Sequence, residues 1–167
     1  RGGGGRTPPF NPGKPNARKI AVIGAGPAGL SAAFYLARLG YAVTIFDRKP
    51  LPGGLNTYGI AEYKMTQRTA LEEIELVKSL GVQFRHGVSI GTDLPVSKLQ
   101  KDFDAVFLAV GLGATNRLGV PGEDLEGVWE ALSFIERVKT REFHSIDIGR
   151  TVVVIGAGNT SVDVVTQ

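Results

Sequence analysis

The amino-acid sequence predicts an α/β fold in which a parallel sheet is flanked by helices. Near the N-terminus, a short apolar strand leads into a Gly-x-Gly-x-x-Gly turn and an apolar helix, and a second apolar strand then ends in Asp47. From residue 151 the same order of strand, glycine turn and helix begins again. This order is typical of Rossmann-like dinucleotide-binding domains, so the chain is predicted to hold one such domain and the start of a second.

The first glycine turn lies between a predicted strand over residues 20–23 and a predicted helix that begins near Pro27. We expect Gly24 to permit the tight turn, Gly26 to let a pyrophosphate approach the backbone, and Gly29 to let the helix lie close to the sheet. The N–H groups and the positive dipole end of the helix would then face the phosphates. The candidate binding residues of this turn are Gly24, Ala25, Gly26, Pro27, Ala28 and Gly29.

Asp47 ends the second predicted strand, where a βαβ unit places the acid that hydrogen-bonds an adenosine ribose. Its charge disfavours a 2′-phosphate, so the first site suits FAD or NAD. Residues 48–68 follow, and they show no sustained periodic pattern of a helix or a strand. A loop of this length in a compact domain is usually functional. Gly53 and Gly54 allow close approach of the backbone to a ligand, which favours FAD. The loop also offers a wall for a flat ring, from Leu55, Tyr58, Ile60 and Tyr63.

The rest of the predicted first domain, residues 19–120, alternates helices and strands. Helices are predicted over 69–80, with Thr69 as the candidate cap, and over 95–101, and strands over 82–86 and 104–110. Gly111 follows the last strand directly, at the edge where a parallel sheet holds its ligands. We interpret His86 as a surface residue at a strand end and assign no role to His144.

A connecting segment, residues 121–149, contains one amphipathic helix predicted over 129–139. Residues 150–167 are predicted to open a second domain, with a buried strand over 151–155. A second turn follows, formed by Gly156, Ala157, Gly158, Asn159 and Thr160. Asn159 and Thr160 can hydrogen-bond phosphate or ribose oxygens. Ser161 stands where a third glycine is expected, and we expect the domain to continue beyond Gln167, because one strand and half a helix cannot form it.

The composition and charge of the chain limit the kinds of partner that we expect it to bind. Residues 1–18 are rich in glycine and proline and are predicted to form a linker, either a frayed terminus or a connector from an upstream domain. The net charge is +3, but residues 1–19 hold five basic residues and no acid, so the charge is poor evidence for nucleic-acid binding. No apolar run approaches the roughly 18 residues of a membrane span, and no signal core is present, so we expect no membrane association.

The chain contains no cysteine. This excludes a disulfide scaffold, a thiolate metal site and a redox dithiol within residues 1–167. Any iron–sulfur cluster that works with this chain is expected on another segment or subunit, since thiolates normally hold such clusters. The lack of cysteine also fits a reducing cytoplasm.

Two dinucleotide-binding patterns in one chain suggest two nucleotides held face to face. The simplest reaction for such a pair is hydride transfer from a nicotinamide to a flavin, because the cofactors themselves carry out that chemistry and the protein positions them. The hypothesis therefore requires no catalytic side chain and no metal ligand, and none is predicted.

Four stretches carry a resemblance to a known family. They are residues 25–30 (AGPAGL), Phe46-Asp47 with residues 52–55 (PGGL), residues 58–65 (YGIAEYKM), and residues 156–160 (GAGNT) with Asp163. In this order they resemble the glutamate synthase small subunit and, equally, the flavoprotein part of dihydropyrimidine dehydrogenase, which are like the pyridine nucleotide-disulphide oxidoreductases. The resemblance covers roughly residues 7–167.

The resemblance implies FAD at the first turn and NAD(P)H at the second, in a nicotinamide domain inserted into the FAD-binding domain. Residues 24–28 would then bind the FAD pyrophosphate, Asp47 and the neighbouring Arg48 the ribose end, and Gly53, Gly54 and Leu55 the ribityl and ring region. Lys64 would also contact the cofactor, although it replaces an arginine and cannot form arginine's bidentate fork. Residues 156–160 would bind the NAD(P) phosphates.

The resemblance also implies partners outside this chain. An upstream helical domain would carry iron–sulfur clusters and would be joined through residues 8–13 (PPFNPG). Electrons would pass from NAD(P)H to FAD, then through the clusters to a partner domain or a larger catalytic subunit.

Two alternatives remain open at this point. One is a stand-alone flavin reductase, for which the absence of Cys-x-x-Cys disfavours the thioredoxin-reductase kind. The other is a non-catalytic dinucleotide-binding module that serves as a sensor or scaffold. The sequence does not separate NAD from NADP, because the residues that would do so follow Gln167, and it does not identify the final electron acceptor.

Overall fold

A computed structural model of the protein describes residues 10–113, 115–141, 146 and 148–167. The predictions for residues 1–9 of the linker and for His144 lie outside these described residues. The strands are β1 (Lys19–Ile23), β2 (Ala42–Asp47), β3 (Gln83–His86) and β4 (Ala105–Leu108). The helices are α1 (Pro27–Arg38), α2 (Leu55–Tyr58), α3 (Gln67–Ser79), α4 (Val96–Asp102), α5 (Ala131–Lys139) and α6 (Asn159–Thr166).

The four strands form one parallel sheet in the order β3-β2-β1-β4, which confirms the predicted fold class. The chain builds outward from β1 to β2 and β3, then crosses to the other side of β1 to form β4. This reversal of direction creates a crevice beyond the carboxyl ends of β1 and β4, and ligands of open α/β sheets bind in such crevices. The first glycine turn begins at this crevice.

The core lies on both faces of the sheet. On one face, Val22 and Ile45 pack with α1 and α3 in a cluster that also holds Val77. On the other face, Ala21 and Phe46 pack around Leu99 of α4. Burial on both faces explains why the strands read as continuous apolar runs in the sequence.

The helix after the long loop begins earlier than predicted. Thr66, and not Thr69, is its N-cap, because the Thr66 hydroxyl accepts a hydrogen bond from the Thr69 amide at 3.1 Å. The loop itself, predicted without regular structure, contains the short helix α2 (Leu55–Tyr58). The first difference follows from a side chain to backbone hydrogen bond over three residues, for which neighbouring threonines are equal candidates in sequence.

The predicted buried strand over residues 151–155 is wrong. These residues form no strand, and Val153 and Ile155 are 82% and 77% exposed. A strand needs a neighbour to satisfy its backbone N–H and C=O groups, and none of the described strands pairs with this segment. The strand predicted over 104–110 forms only as β4 (Ala105–Leu108), an edge strand with Leu108 71% exposed.

The second half of the predicted linker packs against the C-terminal end of α1. The Phe10 ring meets the Phe34 ring edge-on, with 5.2 Å between centroids, and the Arg38 guanidinium lies 5.0 Å from the Phe10 centroid. The Gly13 amide donates a hydrogen bond to the Ala37 carbonyl at 3.0 Å.

Among the described residues, none of the helices has both the length and the apolar character of a membrane span.

Candidate dinucleotide sites

The first glycine turn leaves β1 in a conformation that only glycine adopts readily. Gly24 has a φ of +108°, and a side chain there would collide with the backbone carbonyl of Ala109, which follows β4. A side chain at Gly29 would collide with the Gly24 carbonyl. Packing within the protein therefore requires glycine at both positions and sets α1 close against the sheet.

Gly26 differs from these two glycines. It is the N-cap of α1, with φ of −75° and ψ of 179°, an extended backbone that any residue adopts. Among the atoms that the structure describes, a β-carbon there would meet the Gly54 Cα alone, at 3.9 Å, an ordinary contact. The helix has no side-chain cap and no acid in its first turn, so its N–H groups stay available to an anion. The open space at Gly26 and the uncapped helix together fit a bound pyrophosphate.

The Gly53-Gly54 loop is fixed to this turn. The Gly53 amide donates a hydrogen bond to the Ala25 carbonyl at 2.7 Å. Gly54 has a φ of +54°, and a β-carbon on it would lie 2.7 Å from the Gly26 Cα. The Thr57 hydroxyl, fully buried, donates to the Pro52 carbonyl at 2.6 Å and holds the loop in shape. The structure thus brings together two groups of residues that the sequence predicted separately.

Asp47 links the end of β2 to the turn. One carboxylate oxygen accepts a hydrogen bond from the Ala25 amide at 2.6 Å, and the other accepts from the Lys49 amide at 2.8 Å. Each oxygen keeps a further lone pair for a ligand hydroxyl. Asp47 therefore orders the turn as well as standing at the edge where a ribose would bind, while Arg48 is exposed beside it. The ribose contact stays a prediction.

His86 lies next to Asp47, since the two residues are register partners in β3 and β2. Its ring stacks on Phe84 with 5.6 Å between centroids. Its Nδ1 is buried and has no hydrogen-bond partner among the described residues. Burial lowers the pKa of His86, and Asp47 opposes that shift only in part. The strand end is therefore more enclosed than the sequence indicated.

Gly111 lies beyond the end of β4, on the same edge of the sheet. The Ala109 amide donates to the Ile23 carbonyl at 2.8 Å, which extends the pairing of β4 with β1. Gly111 follows with a φ of +68°, is exposed, and has no described atom within 4 Å of where a β-carbon would lie. It lies where the sequence predicted a residue at the edge of the crevice, and its contact with a ligand stays a prediction.

The second glycine turn repeats the backbone of the first. Gly156 has a φ of +128°, and Gly158 caps α6 with φ of −83° and ψ of 173°, close to the values at Gly24 and Gly26. The helix again has no side-chain cap and no acid in its first turn. Ala157, Gly158, Asn159 and Thr160 are exposed. A β-carbon on Gly156 would lie 2.6 Å from the Ser161 Oγ, so the serine occupies the place of the third glycine.

Lys64 pairs with α6 in this structure. Its Nζ lies 2.5 Å from Oδ1 of Asp163, and the Tyr63 hydroxyl donates to the same oxygen at 2.7 Å. The hydrogen bonds from Lys64 and Tyr63 hold the pKa of the Asp163 carboxyl below its usual value, and the pKa of Lys64 is raised in return. Asp163 has no role predicted from the sequence, although an acid within an otherwise apolar stretch of α6 is a visible signal. Contact of Lys64 with a cofactor stays a prediction.

A parallel sheet with two such turns is the architecture of dinucleotide-dependent oxidoreductases. Residues 18–167 match the pyridine nucleotide-disulphide oxidoreductase family, and the chain belongs to that family. The family binds FAD and NAD(P)H, so the predicted pair of cofactors is confirmed.

Curated relatives confirm the resemblance to glutamate synthase small subunits. The glutamate synthase [NADPH] small chain of Mycobacterium tuberculosis is 41% identical over 93% of this chain, and the match covers 34% of that protein. The NADP(+)-dependent formate dehydrogenase subunit beta of Moorella thermoacetica is 43% identical over 87% of this chain, and the match covers 21% of that protein. The chain thus spans about a fifth to a third of the length of these relatives.

A solved structure shares the fold. Mycobacterium tuberculosis FprA in complex with NADPH superposes with a TM-score of 0.71 and 28% sequence identity. The superposition covers 91% of this chain and 36% of FprA.

Proposed function

We propose that the protein containing this chain is an FAD-dependent NAD(P)H oxidoreductase that passes hydride from NAD(P)H to FAD. One observation carries this proposal: two glycine turns with nearly the same backbone angles each open an uncapped helix. Each turn offers a row of N–H groups and a positive helix end, which suits the pyrophosphate of a dinucleotide. Two such turns provide for a donor and an acceptor nucleotide in one protein.

The first turn is proposed to hold FAD. Residues 24–29 would bind the pyrophosphate, with Gly26 leaving space above the backbone. Asp47, already bonded to the Ala25 amide, would direct a free lone pair to the ribose. Gly53, Gly54 and Leu55 would extend the site along the ligand, because this loop is hydrogen-bonded to the turn and Leu55 is 58% exposed beside it. NAD alone would not require this additional loop, so the arrangement favours FAD.

The second turn is proposed to hold NAD(P)H. Gly156, Ala157 and Gly158 would receive the phosphates, and the exposed Asn159 and Thr160 side chains would hydrogen-bond their oxygens. When bound, FAD supplies the two-electron acceptor chemistry for the hydride of the nicotinamide. The protein itself would bind both nucleotides, orient them and exclude water, without a catalytic acid or base. We assign residues 19–120 to the flavin domain, 121–149 to a connection and 150–167 to the nicotinamide domain.

Onward electron transfer is proposed to use carriers outside this chain. The chain has no cysteine, so it cannot supply the thiolates that hold iron–sulfur clusters. Relatives are named as a small chain and as beta subunits, among them an NADPH-Fe(3+) oxidoreductase subunit beta of Geobacter sulfurreducens. These names support a partner subunit. We further assign iron–sulfur clusters to an upstream domain or partner, a larger catalytic subunit to the complex, and the cytoplasm as its location.

The proposal is tested on the full-length protein. It should purify with a yellow colour and release FAD, not FMN, on heating, as identified by liquid chromatography. Anaerobic mixing with NADH or NADPH in a stopped-flow instrument should then bleach the flavin absorbance. A flavin that neither nucleotide bleaches would contradict the oxidoreductase and favour a non-catalytic binding module.

A further inference from the structure

The geometry points to Asp163 as a positioning residue for hydride transfer: Tyr63 and Lys64 clasp its carboxylate and fix the second glycine turn relative to the flavin loop. This inference rests on the proposed function. The contacts are the Lys64 Nζ at 2.5 Å and the Tyr63 hydroxyl at 2.7 Å, both to Oδ1 of Asp163. We call this group the Asp163 clasp.

Asp163 is buried, so the Asp163 clasp differs from an ordinary exposed ion pair. Asp163 is 9% exposed, whereas Val162 and Val165 on the same helix are 56% and 71% exposed. Among the described residues of α6, Asp163 is the one that is buried. A charge is expensive to bury unless it is paired and hydrogen-bonded, and here it has both partners. The contact therefore directs how α6 docks on the flavin-side segment.

Helix α5 holds the same segment from another side. The Lys139 side chain is fully buried, its Nζ donates to the Met65 carbonyl at 2.6 Å and lies 3.6 Å from a Glu62 carboxylate oxygen. Lys49, near the first turn, forms an ion pair with Glu136 of α5. Burial lowers the pKa of Lys139, while Glu62 opposes this shift. Residues 62–65 are therefore held by α5, which lies within the connection, and by α6, which follows it.

The Asp163 clasp is the last in a series of contacts that connects the first glycine turn to the second. Gly26 of the first turn packs against Gly54, which begins α2. The segment after α2 carries Tyr63 and Lys64, which hold Asp163 on the second turn of α6. The N-cap of α6 is Gly158, in the second glycine turn. Because the run reaches from one proposed phosphate site to the other, loosening the clasp should alter how the two nucleotides face each other.

The rate of hydride transfer is sensitive to such a change. A misplacement of about 1 Å can slow a reaction by roughly 100-fold, even when it arises far from the reacting atoms. A merely structural ion pair would instead lower stability and flavin content together. The two roles are separated by measuring the rate of flavin reduction at saturating nucleotide beside FAD content and the urea midpoint.

The experiment uses full-length Asp163→Asn and Lys64→Met, with Lys64→Arg as the conservative variant. We expect Asp163→Asn to keep the wild-type FAD content and urea midpoint, because it removes the buried charge together with the ion pair, and to reduce flavin at least about 10-fold more slowly at saturating NADPH. Lys64→Met leaves the Asp163 carboxylate buried without its cation, so its urea midpoint should fall, and its rate per bound flavin should fall at least as far. Lys64→Arg should reduce flavin faster than Lys64→Met, since arginine preserves the charge and a donor to Asp163. The matched control is Lys98→Met, which breaks an exposed 2.6 Å pair with Asp102 and should leave the rate unchanged.

Each outcome of this experiment either supports or overturns the role of Asp163 as a positioning residue. A rate within about 2-fold of the wild type in both disruptive variants would overturn the inference. In Asp163→Asn, a rate that falls only in parallel with FAD content or the urea midpoint would also overturn it, in favour of a structural role. If Asp163→Asn does not fold, Tyr63→Phe, which removes one hydrogen bond and leaves the ion pair, decides by the same criteria. Failure of NADH and NADPH to reduce the wild-type flavin would instead refute the proposed function, and that arm is independent of the variants.

Discussion

Gly26 and Gly54 face each other with unequal room for a side chain. A β-carbon on Gly26 would lie 3.9 Å from the Gly54 Cα, whereas one on Gly54 would lie 2.7 Å from the Gly26 Cα. Gly26 also has an extended backbone, while Gly54 has a φ of +54°. Packing of the protein therefore requires glycine at position 54 but not at position 26, which leaves the space above Gly26 for a ligand.

This asymmetry predicts different effects of the same substitution. In Gly26→Ala, we expect the unfolding free energy of the flavin-free protein to fall by at most about 1 kcal/mol, the cost of alanine at a helix N-cap. FAD affinity should fall at least about tenfold, or about 1.4 kcal/mol, because the methyl group occupies the pyrophosphate space. Gly26→Val should abolish flavin retention. The measurements are urea unfolding and flavin titration by fluorescence.

Gly54→Ala is the matched comparison. It combines a positive φ with a close backbone contact, so it should destabilise the folded protein and lose FAD together. Full flavin retention in Gly26→Val would contradict the assignment of the first turn. Equal losses of stability in Gly26→Ala and Gly54→Ala would show that Gly26 serves packing and not a ligand.

Asp47→Ala should weaken FAD binding by roughly 1.5–3 kcal/mol, the range for a hydrogen bond to a charged group. The absorbance spectrum of the flavin that still binds should stay unchanged, because the adenosine end does no redox chemistry. Asp47→Asn is the informative partner variant, since its amide oxygen can still accept the bond from the Ala25 amide. A large spectral change with unaltered affinity would place Asp47 at the ring and not at the ribose.

Local patterns were sufficient to predict the elements of residues 19–47. The strand, glycine turn and helix at residues 19–38 depend on contacts between near neighbours, so their spacing in sequence is informative. The parallel sheet followed from two apolar strands joined by a helix, a connection that leaves few other topologies. The roles of Gly24 and Gly29 in packing also follow from this spacing.

Long-range contacts explain what the sequence did not predict. Tyr63 and Asp163 meet although they are 100 residues apart, and no short pattern pairs them. Residues 151–155 have the composition of a buried strand, but a strand forms only where another strand accepts its hydrogen bonds, and composition does not report that partner. Similarly, Asp47 was expected to face only a ribose, and its bond to the Ala25 amide becomes visible only once β2 lies beside β1.

The pH dependence of stability should reveal the enclosed histidine. Burial lowers the pKa of His86, so as the pH falls the unfolded chain takes up a proton there, near pH 6.5, before the folded protein does. When the unfolded state binds more protons, the free energy of unfolding decreases as the pH falls. We expect the wild type to lose more stability between about pH 7.5 and about pH 5.5 than His86→Gln, measured by urea unfolding. The same pH dependence in both proteins would show that His86 titrates as an exposed imidazole.

A substitution in the second glycine turn distinguishes NAD(P)H binding from FAD binding most clearly. Gly158 has an extended backbone, and no described atom lies within 4 Å of where its β-carbon would be. Gly158→Val should therefore fold and keep FAD at the first turn, yet its side chain would collide with the pyrophosphate of the nicotinamide nucleotide. We expect flavin content to match the wild type and NAD(P)H affinity to fall at least about tenfold, with bleaching of the flavin stopped at moderate nucleotide concentrations.

Stopped-flow bleaching of the flavin band in the full-length protein measures this step, and two variants serve as controls. Thr151→Val changes an exposed residue before the turn without changing its size, and should leave both flavin content and bleaching as in the wild type. Gly26→Val should show the reverse of Gly158→Val, because it removes the flavin and leaves the second turn intact. Rapid bleaching of Gly158→Val at the wild-type rate and nucleotide concentration would show that NAD(P)H binds elsewhere, and the repeated backbone angles would then have no role in holding it.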